Sequence, residues 1–140
     1  MKALDTLPLL DLLRGGPRSE RFVRTLGAEE IATTELNLWE LTGLALADDA
    51  PGRERRLRAL ERLRRRLIVL PIDAAAVAAA TRLASSSGRA GGTDELIAGC
   101  LQAHGATSWV TDSVGAAFGH RAQLQIESYK TISSKGKKRN

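Results

Sequence analysis

The apolar positions of this chain fall into short runs of two kinds. Brief apolar stretches without helical spacing occupy Lys2–Asp5, Ile31–Thr33, Leu67–Leu70, Thr107–Val110 and Leu124–Ile126, and each is expected to form a strand. Between them the spacing turns helical. Leu9–Leu13 is followed by the breaker Gly15-Gly16-Pro17, and Phe22, Val23 and Leu26 then share one side of a helix over Arg18–Leu26. Thr34 is placed to cap a helix over Glu35–Ala47, whose apolar side is Leu36, Leu41, Leu44 and Ala45. Ala50-Pro51-Gly52 breaks the chain before an arginine-rich helix that carries Leu57, Leu60, Leu63 and Leu67 within one sector. An alanine-rich helix starts at Asp73 and fails in Ser85-Ser86-Ser87-Gly88, so Ser85–Thr93 is expected to be a mobile loop. A further helix starts at Thr93 and stops at Gly105, and Thr111–Gly119 reads as a loop or short helix. Short apolar strands separated by helices predict an α/β domain with a mostly parallel sheet of five strands, covered on both faces.

In open sheets of this kind ligands bind outside the carboxyl ends of the strands. Asp5 and Asp112 stand at two such ends, and Glu40 and Asp94 lie early enough in their helices to lean over the same edge. In the helix after Thr93, Ile97, Cys100, Leu101 and His104 fall on one arc with Asp94 at its margin, while Glu95 and Gln102 point the other way. A carboxylate at the border of a buried face is costly unless a cation or a donor meets it. Asp94 therefore has two readings, a ligand for a cation or a charge that complements the helix dipole. Four acids converging without histidine or cysteine would suit a hard cation, Mg²⁺ or Mn²⁺.

Composition narrows the class. Of 140 residues, 43% are hydrophobic but only 4% aromatic, so the core is aliphatic and one domain is expected. The uncharged runs are too short to span a bilayer and no signal-peptide pattern opens the chain, which predicts a cytoplasmic protein without a membrane partner. The single cysteine, Cys100, is expected to pack, and His104 and His120 share no zinc-ligand spacing with it. The net charge of +5 is unevenly spread. Residues 130–140 hold Lys130, Lys135, Lys137, Lys138 and Arg139 with no acid, and are expected to form a disordered basic tail after a domain at 1–129. Residues 53–66 hold eight arginines against Glu54 and Glu61. Arg55, Arg58, Arg62 and Arg65 stand opposite the leucines, as an RNA-backbone contact or simply as a solvated face.

Several segments, in order, resemble PIN-domain ribonucleases of the VapC toxin type. They are Leu4-Asp5-Thr6, Ile31-Ala32-Thr33-Thr34 followed by Trp39-Glu40-Leu41, Val69-Leu70-Pro71-Ile72-Asp73, Asp94-Glu95-Leu96-Ile97-Ala98, and His104-Gly105-Ala106-Thr107 running into Val110-Thr111-Asp112. The resemblance implies a three-layer α/β/α domain, usually a homodimer, that cuts RNA with Mg²⁺ or Mn²⁺ and is held inactive by a VapB-type antitoxin. It assigns Asp5, Glu40 and Asp94 to the acidic site, with Asp5 and Asp94 as metal ligands, Asp112 as a fourth acid and Thr6, Thr111 and Ser113 in support. Leu7-Pro8 stands where the family usually continues with a polar and then an aliphatic residue, and Ser113 where it usually has Asn or Asp. Those departures define the competing expectation, a PIN-like module that binds RNA or a protein partner without cleaving. On either expectation Trp39 and Phe22 are candidates for exposed apolar contacts.

Overall fold

In the computed structural model, residues 1–47, 50–87, 92–113 and 117–134 are described. Among the described residues, five strands and eight helices follow in the order β1 Lys2–Leu4, α1 Thr6–Arg14, α2 Pro17–Leu26, β2 Ile31–Thr34, α3 Glu35–Leu46, α4 Ala50–Arg66, β3 Ile68–Leu70, α5 Ala74–Ser87, α6 Thr93–Ala103, β4 Ser108–Val110, α7 Ala117–Arg121, β5 Gln125–Glu127 and α8 Tyr129–Ser134. The strands form one sheet in the order β3-β2-β1-β4-β5, and every pairing is parallel. This is the expected parallel sheet. Alternation along each strand divides the apolar side chains between two cores. Ala3, Ala32 and Trp109 join Leu70, Ala76, Leu83, Ile97, Ala98 and Leu101 beneath α5 and α6. Leu4 and Val110 face the other way, into Leu9, Phe22, Leu41 and Tyr129 from α1, α2, α3 and α8. Helices on both faces of the sheet make three layers.

Local chemistry sets the boundaries. Asp5 accepts from the Thr6 amide at 2.9 Å and Thr34 from the Asn37 amide at 3.1 Å, so both helices that leave the carboxyl edge near β1 are capped by side chains belonging to that edge. Asp73 caps α5 in the same way through the Ala76 amide at 2.9 Å. Gly15 and Gly16 have φ of 74° and 117°, a region that favours glycine, and they turn the chain from α1 into α2. Gly99 has a different role. A Cβ there would stand 2.7 Å from the Ala80 Cα and 2.8 Å from its Cβ, so α5 and α6 meet backbone to backbone at a point only glycine permits.

Several expectations change. Ala50, Pro51 and Gly52 start α4 instead of ending the segment before it, because proline in a first helical turn has no hydrogen bond to lose. Ser85–Ser87 continue α5, and residues 88–91 of the expected loop lie outside the described ones. The boundary at 129/130 falls inside α8, which packs on α2, and residues 135–140 lie outside the described ones. Phe22 is fully buried, its ring 4.9 Å from that of Tyr129 at 87°, because α8 covers the side of α2 that was expected to be open. Glu95 is also buried. Its carboxylate turns back to the Gly92 amide at 3.2 Å, which satisfies an end-of-helix donor and holds an acid inside the protein instead of on the outer face.

Candidate metal centre at the carboxyl edge of the sheet

The register delivers the site. Leu4 pairs with Val110, so the residues that follow, Asp5 and Thr111, leave neighbouring strands side by side. The Thr111 hydroxyl donates to Asp5 Oδ2 at 2.5 Å, and the Asp5 amide donates to the Val110 carbonyl at 3.0 Å. From the other flank α3 supplies Asn37, 1% exposed, whose Nδ2 donates to Asp5 Oδ1 at 3.0 Å and to Thr6 Oγ1 at 3.1 Å. Asn37 is itself held by Thr34, whose hydroxyl donates to Asn37 Oδ1 at 2.7 Å. The Thr6 hydroxyl completes the series by donating to Glu40 Oε2 at 2.9 Å. Asp5 Oδ1 thus takes two donors and Oδ2 one, which fixes the carboxylate and leaves Oδ2 with capacity for a further partner.

Asp94 enters from the first turn of α6. The Ser113 hydroxyl lies 3.4 Å from both of its oxygens, a long contact, and the Ser113 amide is tied to Thr111 Oγ1 at 3.0 Å. Burial first, and then the charge of Asp5, push the Asp94 carboxyl above the ordinary aspartate range; Ser113 acts weakly in the opposite sense and Glu95 adds to the rise. Asp5 and Asp94 are therefore electrostatic neighbours, joined through Thr111 and Ser113.

Not all of the expected residues meet. Asp5, Thr6, Glu40, Asp94, Thr111 and Ser113 form one connected group, with Glu40 reaching Asp5 through the Thr6 hydroxyl. The Asp112 carboxylate turns away. It accepts from Ser128 Oγ at 2.6 Å and from the Lys130 amide at 3.1 Å, and so caps α8. The four-acid convergence expected from the sequence is replaced by a pair of acids in a ring of hydroxyls. Among the described residues, no three or more of His, Cys, Asp and Glu come close enough to hold a metal ion by themselves. The lone pairs that the pair and its neighbouring side chains could offer a cation are on carboxylate and hydroxyl oxygens, since the nitrogens there are N–H donors; that suits a hard cation, and the raised Asp94 carboxyl is the cost a cation would relieve. Asn37 and Thr34 were missed as site residues. The available signal was an Asn three residues after a capping Thr and three before Glu40, which puts both side chains on one helix face.

The arginines of α4 divide. Arg58 pairs with Glu54 at 3.1 Å and Arg65 with Glu61 at 4.0 Å along the helix. Arg55 and Arg62 line a groove of about 400 Å³ between α1, α3 and α4. Cys100 is buried as expected, its thiol facing the Pro71 carbonyl at 3.3 Å and pushed up to about 12 by burial and by the charges of Asp73 and Glu35. No helix among the described residues is long and apolar enough to cross a membrane.

Comparison with curated proteins found no match. Among solved structures, a chain of VapBC2 from Rickettsia felis, bound to a DNA fragment of its promoter, superposes with a TM-score of 0.71 at 21% identity and covers 91% of this chain and 97% of that one. FitAcB from Neisseria gonorrhoeae gives 0.71 at 22%, with 93% and 99% covered. DNA-bound VapBC from Salmonella typhimurium gives 0.65 at 24%, with 91% and 97% covered. At these identities the likeness is one of fold. A family model for the PIN domain matches residues 2–113, from β1 through Ser113, and that span contains every residue of the connected acidic group: the chain belongs to the PIN domain family.

Proposed function

We propose that this PIN domain is the toxin component of a type II toxin–antitoxin pair, a Mg²⁺- or Mn²⁺-dependent ribonuclease that hydrolyses RNA phosphodiester bonds at Asp5 and Asp94. One observation carries the reading: two carboxylates share an edge of the sheet closely enough that the charge of one raises the other, with oxygen donors around them. Asp5 and Asp94 would hold the cation, and Glu40 would complete its surroundings through Thr6. When bound, such a cation neutralises charge on the scissile phosphate and lowers the pKa of water. The chain's own residues supply orientation. Asn37, Thr111 and the Thr6 amide fix Asp5, so that its free lone pair has one direction, and Ser113 holds Asp94 and is the hydroxyl placed to position the attacking water.

Partners follow the same reading. The groove between α1, α3 and α4 has an apolar floor, including Leu10, Leu13 and Leu44, and a rim with Arg14, Arg55 and Arg62. Leucines on the floor suit a peptide better than a phosphate backbone, so we assign the groove to an acidic amphipathic segment of a VapB-type antitoxin. Trp39, 72% exposed on α3, and Val77, 50% exposed on α5, support a second copy of this chain as the other partner.

Purified protein should cut single-stranded RNA with Mn²⁺ or Mg²⁺, lose activity with a chelator, and lose it in Asp5→Asn and Asp94→Asn. A folded wild type that binds the cation yet leaves RNA intact would establish the binding module in place of the nuclease.

A further inference from the structure

The edge formed by α2 and α8 carries cations that the acidic site does not use. Arg18, Arg21 and Lys130, with the hydroxyls of Ser133 and Ser134, line a cleft of about 230 Å³. Two of the three cations are held in place. Arg18 Nε donates to Ser133 Oγ at 2.9 Å and its guanidinium sits 4.8 Å from the centre of the Tyr129 ring, while Arg21 Nε donates to the Ser133 carbonyl at 3.1 Å. Ser133 is 1% exposed, so both arginines are anchored on a buried residue. Each spends only its Nε. Among the described residues no hydrogen bond uses the Nη groups of either one, and Lys130 Nζ has no acid partner. The nearby carboxylate is Asp11, 3.8 Å from Arg18 Nε, and it already accepts from the Tyr129 hydroxyl at 2.9 Å.

Capping of α8 does not account for this arrangement. Arg21 alone meets a carbonyl at the helix end, Arg18 bonds a hydroxyl, and the Lys130 side chain contributes nothing to either contact. What remains is a concave surface with three cations and no carboxylate in its lining, on which the guanidinium donors are ordered in advance. That is a match for a phosphate, which takes paired N–H donors from arginine and point charge from lysine. The cleft is also joined to the acidic site. Asp112, between Thr111 and Ser113, holds the Lys130 amide and Ser128, and Tyr129 reaches α1 at Asp11.

We propose that this cleft is a second phosphate subsite, which holds a backbone phosphate of single-stranded RNA outside the scissile bond. The identity of the strand rests on the ribonuclease reading. The test measures binding of a short fluorescent single-stranded RNA, in chelator so that no cleavage occurs, against salt concentration. Arg21→Gln with Lys130→Gln should lower the slope of log K against log salt by about 0.7, the loss of one contact on a single strand. Arg21→Lys with Lys130→Arg should restore it. Cleavage of a dinucleotide, which spans the scissile phosphate alone, should be unchanged by either pair. Lys130→Gln by itself removes an unpaired surface charge and guards against misfolding as the cause. A wild-type slope in the double glutamine variant overturns the subsite even if the wild type cuts RNA. A reduced slope with no cleavage by the wild type retains the subsite and removes the nuclease. Calorimetry with inorganic phosphate supplies the last arm: phosphate binding lost in the variant while the RNA slope stays the same would make the cleft a small-anion site and refute the RNA assignment.

Discussion

Asp94→Asn separates a cation ligand from a helix-end charge, because the two roles have opposite effects on stability. In the first turn of α6 the helix dipole would favour a negative charge by about 0.3–1 kcal/mol. Burial and the charge of Asp5 act in the opposite sense and push the Asp94 carboxyl up. A folded-state pKa above the unfolded one means that the contribution of Asp94 is greatest below the ordinary aspartate pKa and is lost as pH rises through the raised value. Asparagine keeps the size and removes the charge. The Ser113 contact it disturbs is long, 3.4 Å to each oxygen, so little is lost there. Without metal at neutral pH the variant should therefore melt no lower than wild type, and the two should converge in acid. With Mn²⁺ at a hundred times its dissociation constant, wild type should gain about 2.7 kcal/mol by mass action. For a domain of this size that is roughly 10 °C in Tm. The variant should gain almost none of it. Thermal melts with Mn²⁺ and with chelator read both effects, and a variant that melts lower without metal yet gains as much from Mn²⁺ as wild type would refute the ligand role.

Asn37→Ala removes a buried donor from Asp5 and the acceptor of the Thr34 hydroxyl, which keeps only the amide of residue 37; it should cost about 1–3 kcal/mol in chemical denaturation and weaken Mn²⁺ binding by about 10–100-fold. Gly99→Ala gains about 1 kcal/mol of helix propensity, but its Cβ meets the Ala80 backbone, and overpacking of about 1–3 kcal/mol should win, lowering Tm. Phe22→Ala empties a fully buried position against Tyr129 and should cost about 3–5 kcal/mol, with proteolysis at α8 appearing before global unfolding.

What was legible in the sequence was whatever depends on neighbours a few residues apart. Brief apolar runs without helical spacing identified all five strands, and the cap at Thr34 follows from a side-chain oxygen standing just before helical spacing begins. Asp5 and Asp94 could be placed at one edge because strand ends and helix starts share it in a parallel sheet. The failures depend on distant partners. Phe22 was read as exposed because its cover, Tyr129, is more than a hundred residues away in a segment whose lysines and serines conceal a helix. Asp112 was read as a fourth acid because its true partners, Ser128 and Lys130, gave no local sign. Glu95 was sent to the surface by periodicity, which does not register a carboxylate turning back to its own helix end.

The strand order has a consequence for how the protein comes into being. Of these five strands β1 is made before the others and lies at the centre of the sheet, between β2 and β4, but β4 lies about a hundred residues further along the chain. Translation at about 5–20 residues per second would place Asp5 outside the ribosome's catalytic centre some 5–20 s before Thr111 is joined to the chain. Throughout that interval one edge of β1 has no partner, and the β1-β2-β3 half presents Leu4 and Ala3 without their cover from β4 and α6. The Thr111 hydroxyl reaches Asp5 by the same pairing that closes the edge. A nascent chain thus leaves Asp5 without that donor for as long as the edge of β1 is open to aggregation, and both conditions end in a single step.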